Sequence, residues 1–290
     1  MQYEGDIYRP PSEAHSLIVQ VTVGCSHNGC TFCYMYKDKK FKLKPFESVF
    51  ADLLEARRLY PAVRRVFLAD GDALCMGTNQ LMRLLAAVRE LFPECTRVAS
   101  YSRASHILNK SDDELASLRE AGLGIVYVGA ESGSDEVLLR VNKGETAGQI
   151  IQAVQKAERS GIQTSVTFIS GLGGRELMAE HAVKTAEMIS AAGAFYVGLL
   201  TLQLSANASI CQDIKAGRFE PLEQHEVLDE LEMMIAQTNC VSETVLRSNH
   251  ASNWLALKGT LPQDKGRLLE QIRRAKSDTS VLRADNARRL

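Results

Sequence analysis

Residues 17–34, which read LIVQVTVGCSHNGCTFCY, contain the stretch that decides the fold. Residues 17–23 are apolar and rich in β-branched side chains, a pattern that predicts a strand. A short loop with three cysteines, Cys25, Cys30 and Cys33, follows directly. Three thiolates in one loop can hold a metal ion or an iron–sulfur cluster. No fourth cysteine is close in the sequence, so we expect one coordination position to stay open for chemistry.

Predicted strands and helices alternate from this loop onward. Further strands are predicted at residues 66–69, 98–102, 125–130, 164–169 and 195–204, and helices at 47–60, 81–88, 112–121, 146–160, 176–192 and 222–237. With the first strand, this makes six strand–helix units. Several strands are nearly continuous apolar runs, which is typical of a sheet covered on both faces. The alternation predicts an α/β fold with a parallel sheet, either open and doubly wound or closed toward a barrel.

Polar or glycine-rich segments follow five successive predicted strands. In order, they are the cysteine loop beginning at Cys25, Asp70-Gly71-Asp72, Ser102-Arg103, Glu131-Ser132-Gly133, and Ser170 to Gly174. In both arrangements of a parallel sheet, ligands bind at the carboxyl ends of the strands. We therefore expect these five segments to contribute to one site.

Composition narrows the class of protein. The 290 residues carry a formal net charge of −1, which gives no general attraction to nucleic acid or to an anionic membrane. No apolar run approaches the roughly 20 residues of a membrane span, and the first residues lack a secretory signal. Seven cysteines, three of them clustered, are typical of metal-site use in a reducing compartment, so we expect a cytoplasmic protein.

We expect three regions along the chain. An N-terminal segment covers residues 1–15, the strand–helix core covers residues 16–240, and a C-terminal extension covers residues 241–290. The extension contains a β-prone piece at residues 244–246 and a basic helix at residues 264–276. Its last dozen residues are expected to be frayed or disordered.

The spacing of the cysteines admits three interpretations. Zinc would need a fourth protein ligand, and His27 is available but lies inside the loop, where its geometry would be cramped. A plant-type [2Fe–2S] centre has this spacing with a distant fourth cysteine, for which Cys75 is a candidate, although six strand–helix units do not suit that small β-rich domain. The third interpretation is a [4Fe–4S] cluster with three cysteine ligands and one iron left free.

The third interpretation goes with a family resemblance. The chain resembles radical S-adenosylmethionine (SAM) enzymes, whose usual motif is Cys-x3-Cys-x-aromatic-Cys after the first strand of a partial (β/α)6 barrel. The aromatic residue here is Phe32, and the resemblance covers about residues 16 to 205. The first gap holds four residues instead of three, and the turn-forming pair Asn28-Gly29 is suited to absorb the extra one. The resemblance thus implies an α/β partial (β/α)6, TIM-like barrel with a small C-terminal extension.

Other segments add to this resemblance and imply roles. Asp70-Gly71-Asp72 stands where the family often has a Gly-Gly-Glu-Pro-like segment for the amino group of SAM, although the Glu is shortened and the Pro is absent. Residues 129–138 resemble the branch with Elp3-like, MiaB-like and coproporphyrinogen-dehydrogenase-like members. By resemblance, the metal ligands are Cys25, Cys30 and Cys33, and the cofactor-binding residues are Phe32, Asp70, Gly71, Asp72, Ser102, Arg103, Glu131 and Ser170.

The resemblance also implies the activity. A [4Fe–4S] cluster and SAM would be the cofactors, and an external one-electron donor of flavodoxin or ferredoxin type would reduce the cluster. Reductive cleavage of SAM would give a 5′-deoxyadenosyl radical that takes hydrogen from an unidentified, small-molecule substrate. Two alternatives remain open: a non-catalytic iron–sulfur or zinc protein for binding or electron transfer, and a radical SAM enzyme that modifies RNA, which the net charge disfavours.

Three further features have no assigned chemistry. Cys75 and His250 are candidate catalytic residues, the first as a thiol hydrogen-atom donor and the second as part of a cap on the open end of the barrel. Ordinary packing for Cys75 and a plain surface loop for His250 explain them equally well or better. The lysines at positions 37, 39, 40, 42 and 44 are expected to form a solvated face.

Overall fold

The computed structural model describes residues 1–288 and divides the chain into two compact units. The first unit comprises residues 1–28, 33–128 and 156–164. The second comprises residues 29–32, 129–155 and 165–290, of which 289 and 290 are not described. The cysteine loop is therefore divided, because Cys25 and Cys33 belong to the first unit and Cys30 to the second.

The first unit is built on four parallel strands. They are β1 (Leu17–Gln20), β4 (Arg65–Ala69), β5 (Arg97–Ser102) and the greater part of β6 (Leu123–Glu131), in the order β1-β4-β5-β6. Residues of neighbouring strands pair directly, for example Val19 with Leu68 and Phe67 with Ala99, and the pairing of β5 with β6 shifts register between Val98 and Ala99. A separate antiparallel pair joins β2 (Thr22–Val23) to β3 (Lys42–Leu43). The predicted single strand at residues 17–23 is therefore two strands that pair with different partners.

Helices cover the strands of the first unit through apolar stripes. They are α1 (Phe46–Leu59), α2 (Thr78–Leu91), α3 (Ala104–Leu108) and α4 (Asp112–Glu120). Helix α2 buries Leu81, Leu84 and Leu85, which recur at helical spacing. Helix α4 begins with the capping box expected from the sequence, because Ser111 Oγ accepts from the Glu114 amide and the Glu114 carboxylate accepts from the Ser111 amide.

The second unit holds the remaining strands. Strands β7 (Gln163–Ser170), β8 (Tyr196–Thr201) and β9 (Thr244–Arg247) are parallel, and β10 (Lys258–Leu261) pairs with β9 in the antiparallel direction. The helices that follow β6 in the chain are α5 (Asp135–Arg140), α6 (Ala147–Arg159), α7 (Met178–Ala192), α8 (Ile210–Lys215), α9 (Gln224–Gln237) and α10 (Lys265–Ser277). Helix α9 packs against both α7 and α10. The expected mostly parallel α/β architecture is confirmed.

The C-terminal residues correct one expectation. Residues 279–288 are not frayed: the guanidinium of Arg283 donates to the carbonyl of His250, and that of Arg288 donates to the carbonyl of Ser252. Two short 3-10 helices, Thr279–Val281 and Asp285–Ala287, shape this segment. The expected disorder of residues 289 and 290 lies outside the described residues. Among the helices of residues 1–288, none has the length and apolar character needed to cross a membrane.

Candidate functional site

The cysteine loop carries three partly exposed thiols. Cys25, Cys30 and Cys33 form no disulfide. Asn28, inside the loop, adopts a left-handed backbone with φ +45°, a conformation that asparagine tolerates better than most residues. Its side-chain amide donates to the carbonyl of Tyr36 at 2.7 Å. Asn28 thus has the left-handed backbone that is typical of turns, although residues 28 and 29 are not assigned to a turn, and its side chain is anchored within the first unit.

Gly71 lies directly against the cysteine loop in the first unit. A Cβ atom at this position would lie 3.0 Å from the Cβ of Cys25 and 2.8 Å from a ring carbon of Tyr36. The amide of Gly71 also donates to the carbonyl of Gly24 at 3.1 Å. Only a residue without a side chain fits this close approach, so Gly71 controls the position of Cys25.

Asp70 contacts residues on both sides of the cysteine loop and is not exposed to solvent. Its fully buried carboxylate accepts from the ammonium of Lys39 at 2.9 Å and from the amide of Gly24 at 3.1 Å. Lys39 is itself buried, and Lys44 is buried beside Asp52 at 3.1 Å. The expectation of a wholly solvated lysine face is therefore wrong at these two positions, because a buried carboxylate requires a buried cation as partner.

Asp72 is the centre of a second polar cluster in the first unit. Its fully buried carboxylate accepts from the hydroxyl of Ser26 and from the amide of Arg103 at 3.3 Å, and Nδ1 of His106 lies 2.7 Å from it. Ser102 Oγ donates to the carbonyl of Arg103 at 2.9 Å. Ser102 and Arg103, predicted on a separate strand, are therefore brought next to Asp72.

Cys75 lies in the same neighbourhood, where its thiol stays protonated. Burial, with a further contribution from Asp72, raises the pKa of Cys75 to about 12. A thiolate nucleophile would need the opposite shift. The candidate role as a thiol hydrogen-atom donor stays a prediction.

Within the second unit, Cys30 is close to a buried ion pair. The ammonium of Lys143 binds the carboxylate of Glu131 at 3.0 Å, with both side chains largely buried. Burial by itself opposes the charge on Lys143, but the negative groups of Glu131, Cys30 and Glu145 outweigh it and raise the pKa of Lys143. Lys143 therefore remains a cation close to a predicted metal ligand.

The backbone around Glu131 is adapted to this ion pair. Glu131 has a left-handed backbone with φ +67°, which is uncommon for a residue with a side chain and costs energy. A Cβ at Gly129 would lie 2.1 Å from the Glu131 carboxylate, so a larger residue there would displace that carboxylate from its present position. Such strain is concentrated at functional sites.

Phe32 packs into an apolar cluster of the second unit with Val137, Val141 and Leu172. The amide of Thr31 donates to the carbonyl of Val141 at 2.9 Å. These contacts tie the residues beside Cys30 to the helix after β6. Phe32 thus has a packing role that is compatible with its predicted place beside the cofactor.

Ser170 lines a cavity of about 400 Å³ at the end of β7. Its hydroxyl is buried and has no hydrogen-bond partner among the described residues. The cavity is also lined by Trp254 and by Arg288, whose guanidinium lies 3.4 Å from the centre of the indole ring. The C-terminal segment thus forms one wall of this cavity.

His250 holds the loop that leads to Trp254. Its Nδ1 accepts from the amide of Ser252 at 3.1 Å, and burial, with a smaller effect of Arg283, lowers its pKa. Ser252 Oγ in turn accepts from the amide of Thr201 at the end of β8. This local bonding gives His250 a structural role, and its catalytic role stays a prediction.

The structure gathers the predicted residues into two groups, one in each unit. Cys25, Asp70, Gly71, Asp72, Ser102 and Arg103 share the first unit, and Cys30, Phe32, Glu131 and Ser170 share the second. Sequence reasoning missed the partners Lys39, His106 and Lys143. For Lys143, Gly129 was a usable signal, because the glycine leaves room for the Glu131 carboxylate that binds this lysine. Residues 1–288 contain no group of three or more His, Cys, Asp and Glu side chains that could hold a metal ion.

The sequence pattern of the radical SAM superfamily matches residues 19–189 of this chain, more than half of its length. The chain belongs to the radical SAM superfamily. A [4Fe–4S] cluster and SAM are the cofactors of this superfamily. Three half-buried thiols in one loop, none of them in a disulfide, are of the ligand type that such a cluster needs, although the structure does not bring them together as a metal-binding group.

Curated relatives fall among several radical SAM groups. A tRNA-2-methylthio-N(6)-dimethylallyladenosine synthase of Acidithiobacillus ferrooxidans is 29% identical over 198 residues, which are 63% of this chain and 42% of that protein. The heme chaperone HemW of Bacillus subtilis is 20% identical over 133 residues, 45% of this chain and 35% of that protein. The matched part thus spans less than half of each relative.

Solved radical SAM structures share the fold. Coproporphyrinogen III oxidase of Escherichia coli superposes with a TM-score of 0.60 at 19% identity, covering 76% of this chain and 51% of that one. Elp3 of Methanocaldococcus infernus superposes with a TM-score of 0.54 at 15% identity, covering 92% of this chain and 64% of that one. The α/β partial TIM-like barrel expected from the sequence agrees with these neighbours.

Proposed function

We propose that this protein is a radical SAM enzyme whose cluster is held by Cys25, Cys30 and Cys33 and whose substrate is a small molecule. The observation that carries the proposal is the cysteine loop after the first strands, within the stretch that matches the superfamily. The bound cluster and SAM supply one-electron cleavage of SAM and a 5′-deoxyadenosyl radical that takes a hydrogen atom from the substrate. An external one-electron donor of flavodoxin or ferredoxin type completes the system.

Residues of the first unit are suited to orient the amino end of SAM. Gly71 brings the backbone close to Cys25, and one oxygen of the Asp72 carboxylate accepts from the Arg103 amide at 3.3 Å. A carboxylate oxygen has two acceptor sites, so this oxygen retains capacity for an ammonium group. Ser26 and His106 occupy the other oxygen and fix its orientation.

Residues of the second unit supply a cation and a cavity. Lys143 keeps its charge close to Cys30, where it offsets the negative charge that a thiolate-bound cluster carries. The cavity beside Ser170 has a volume of about 400 Å³, within the roughly 300–1,000 Å³ range of small-molecule sites. Its size supports a small ligand, and we assign the adenine end of SAM to the Ser170 side of it.

A second candidate function is modification of RNA, which the names of several relatives favour. The formal net charge of −1 argues against an RNA substrate, because RNA-binding surfaces are usually basic. Salt-sensitive binding of a tRNA mixture distinguishes the two. We expect little binding at physiological salt, and tight binding that weakens steeply with salt would favour the RNA function instead.

The cysteine assignment is tested by anaerobic reconstitution. We expect about four irons per chain, and release of 5′-deoxyadenosine when dithionite and SAM are added. Cys30→Ala should abolish this release, whereas Cys95→Ala, which changes a half-buried cysteine bonded to the carbonyl of Arg97, should not. Stoichiometric zinc with no cleavage of SAM would overturn the proposal in favour of a non-catalytic metal protein.

The proposed location is the cytoplasm, where the reducing environment keeps cysteines as thiols. None of the seven cysteines forms a disulfide in the structure. A cytoplasmic flavodoxin or ferredoxin would then be the donor. Replacing dithionite with a reduced flavodoxin system in the same assay checks this: release of 5′-deoxyadenosine should persist.

A further inference from the structure

Two ionisable side chains of the second unit have no role in the site described above. His181 on α7 and Glu230 on α9 are both fully buried. Nε2 of His181 lies 3.8 Å from Oε1 of Glu230. Neither of these two atoms makes a hydrogen bond to another described residue. Two polar atoms that face each other without other partners point to a shared function, because an unpaired buried polar atom is costly.

The other ends of both side chains are tied to the two segments predicted to contact SAM. The second carboxylate oxygen of Glu230 accepts from the amide of Gly171 at 2.7 Å. Nδ1 of His181 lies 2.8 Å from Ser132 Oγ, which also accepts from the amide of Ser134 at 3.0 Å. The pair thus connects the turn after Glu131 with the glycine-rich segment after β7.

The glycine-rich segment packs closely on helix α7 at this point. A Cβ at Gly173 would lie 3.0 Å from the Cβ of His181 and 2.9 Å from the carbonyl of Leu177. The backbone of residues 171–173 therefore rests on the start of the helix that carries His181. A change at the pair is transmitted directly to this segment.

Burial keeps both groups neutral at neutral pH. It lowers the pKa of His181 to about 4 and raises the pKa of Glu230 to about 8. The ring of His181 and the carboxyl of Glu230 face each other at 3.8 Å. The neighbouring acidic groups on these helices are turned outward, where Glu180 accepts from Ser134, Glu226 binds Arg175 and Glu232 binds Arg273. Among residues 1–288, the only ion-pair partner within 4 Å of Glu230 is therefore the ring of His181.

We propose that His181 and protonated Glu230 act as positioning residues, a neutral facing pair that holds residues 170–174, through the bond between Glu230 and Gly171, in the shape that receives the adenine end of SAM. In this pair Oε1 of the neutral carboxyl lies 3.8 Å from Nε2, and Nδ1 lies within hydrogen-bond distance of Ser132 Oγ. This inference rests on the proposed function, which places SAM at Ser170.

Loss of the carboxyl proton to solvent at high pH removes the neutral pair. The carboxylate then faces the ring without a counter-ion in a site without water access, and residues 170–174 or helix α9 must shift to admit water. Because only the neutral pair supports the binding shape, the apparent affinity for SAM falls with the fraction of protein that keeps the proton.

The test measures SAM binding to the anaerobically reconstituted full chain between about pH 6.5 and about pH 9. At about one pH unit above the pKa, a tenth of Glu230 stays protonated, so we expect the Kd to rise about tenfold in the wild type. Glu230→Gln keeps the acceptor for Gly171 and fixes a neutral side chain, so its Kd should stay constant. Glu232→Gln on the same helix is the matched control and should behave as the wild type.

A second measurement follows the segment without SAM or the cluster. Hydrogen exchange of the peptide that contains Gly171, corrected for intrinsic rates, should accelerate several-fold in the wild type over the same pH range and remain unchanged in Glu230→Gln. Ser132→Ala, which removes the bridge to His181, should accelerate it at all pH values. Equal pH dependence in Glu230→Gln and the wild type would overturn the pairing.

The two measurements separate this inference from the proposed function. If SAM does not bind at any pH while exchange at Gly171 still depends on Glu230, the assignment of SAM to this segment fails, and with it the proposed role of the pair. If SAM binds with a pH-independent Kd, the positioning role fails and the radical SAM function stands.

Discussion

At Gly71, one missing side chain determines where Cys25 lies. Gly71→Ala would place a methyl group 2.8 Å from the Tyr36 ring and 3.0 Å from the Cys25 Cβ. Overpacking of this kind costs about 1–3 kcal/mol, and Tyr36 is too buried to move freely. We expect the variant to bind well under half of the wild-type iron after reconstitution, measured by iron analysis and by absorbance of the cluster.

Gly148→Ala is the matched control for this substitution. Gly148 lies in helix α6 and a Cβ there meets no atom within 4 Å. Alanine in a helix is favoured over glycine by about 0.5–1 kcal/mol, so this variant should be as stable as the wild type or more so and should bind iron normally. Normal iron content in Gly71→Ala would show that the contact with Cys25 does not control the loop.

Lys143→Met removes the cation from a largely buried pair. The Glu131 carboxylate would remain in place with its left-handed backbone and without its partner. Removal of one member of a buried ion pair typically costs about 3–5 kcal/mol. We expect a loss of this order in the free energy of unfolding, measured by urea denaturation of the cluster-free protein.

An exposed ion pair provides the comparison for Lys143. Lys184 binds Glu187 at 2.8 Å, with both side chains at least half exposed, and such pairs contribute about 0–1 kcal/mol. Lys184→Met should therefore change stability little. The double variant Lys143→Met with Glu131→Leu should recover part of the loss, because it leaves no unpaired charge. Equal effects at the two lysines would contradict the buried-pair interpretation.

Candidate site residues that belong to a local sequence pattern could be proposed from the sequence. Their partners from distant parts of the chain could not. The three cysteines, Asn28 and Asp70 to Asp72 follow from spacing and from their position after strands. Lys39, Lys143 and His181 each sit in a polar or amphipathic stretch that is indistinguishable from a solvated face. The two lysines are buried with carboxylate partners that are distant in the sequence. Lys39 and Asp70 are 31 residues apart, and Lys143 and Glu131 are 12 residues apart.

The C-terminal segment, residues 279–288, is an element that shapes the cavity beside Ser170. Trp254 donates from its indole to Asp285 at 2.7 Å, and its ring is covered by Arg288. Removal of residues 279–290 should expose the indole and red-shift its fluorescence. Trp254 is the only tryptophan of the chain, so emission reports this contact directly. SAM affinity should also fall several-fold if the cavity holds its adenine end.

Arg288→Ala removes the contacts of a single side chain of the same segment. The guanidinium gives up its stacking on Trp254, worth about 0.5–1 kcal/mol at a partly exposed site, and its bond to the Ser252 carbonyl. A smaller red shift than in the truncated chain is expected. Arg274→Ala, on the preceding helix α10, serves as control and should leave the emission unchanged. An unshifted spectrum in the truncated chain would show that the segment does not cover the indole.

At the level of elements, local signals predicted the regular structure and failed for segments held by distant contacts. Helix α4 was predicted with its cap because Ser111 and Glu114 satisfy each other's backbone within one turn. The C-terminal segment was expected to fray because it lacks apolar periodicity. It is ordered by guanidinium groups that bind backbone carbonyls some 30 residues earlier, and backbone acceptors leave no trace in the sequence.

The whole chain shows why the family could be inferred and the division into units could not. Apolar runs alternating with amphipathic helices predict a parallel sheet with its ligands at one edge, and that pattern is carried by contiguous residues. Each of the two units, by contrast, is assembled from three separate stretches of sequence. The predicted core at residues 16–240 and extension at residues 241–290 stay predictions. A discontinuous unit is defined by contacts between distant stretches of the chain, and local sequence patterns do not reveal such contacts.

The stability of the whole molecule should depend on pH through the buried pair of α7 and α9. Glu230 has a folded pKa of about 8 against an ordinary value of 4.5, so between these values the unfolded chain releases a proton that the folded chain keeps. Stability conferred by the neutral carboxyl is complete below about pH 4.5 and is lost as the pH rises through about 8.

His181 acts in the opposite direction at lower pH. Its folded pKa of about 4 lies below the ordinary 6.5, so stability rises with pH between those two values. The two slopes largely offset each other between about pH 4.5 and 6.5, and the Glu230 slope alone remains between about pH 6.5 and 8. Over that window one proton corresponds to about 1.4 kcal/mol per pH unit. Urea unfolding of the cluster-free wild type should show a loss of about 2 kcal/mol, and Glu230→Gln should flatten this decline because glutamine carries no proton to lose. A decline of equal slope in Glu230→Gln would place the titrating group elsewhere in the molecule.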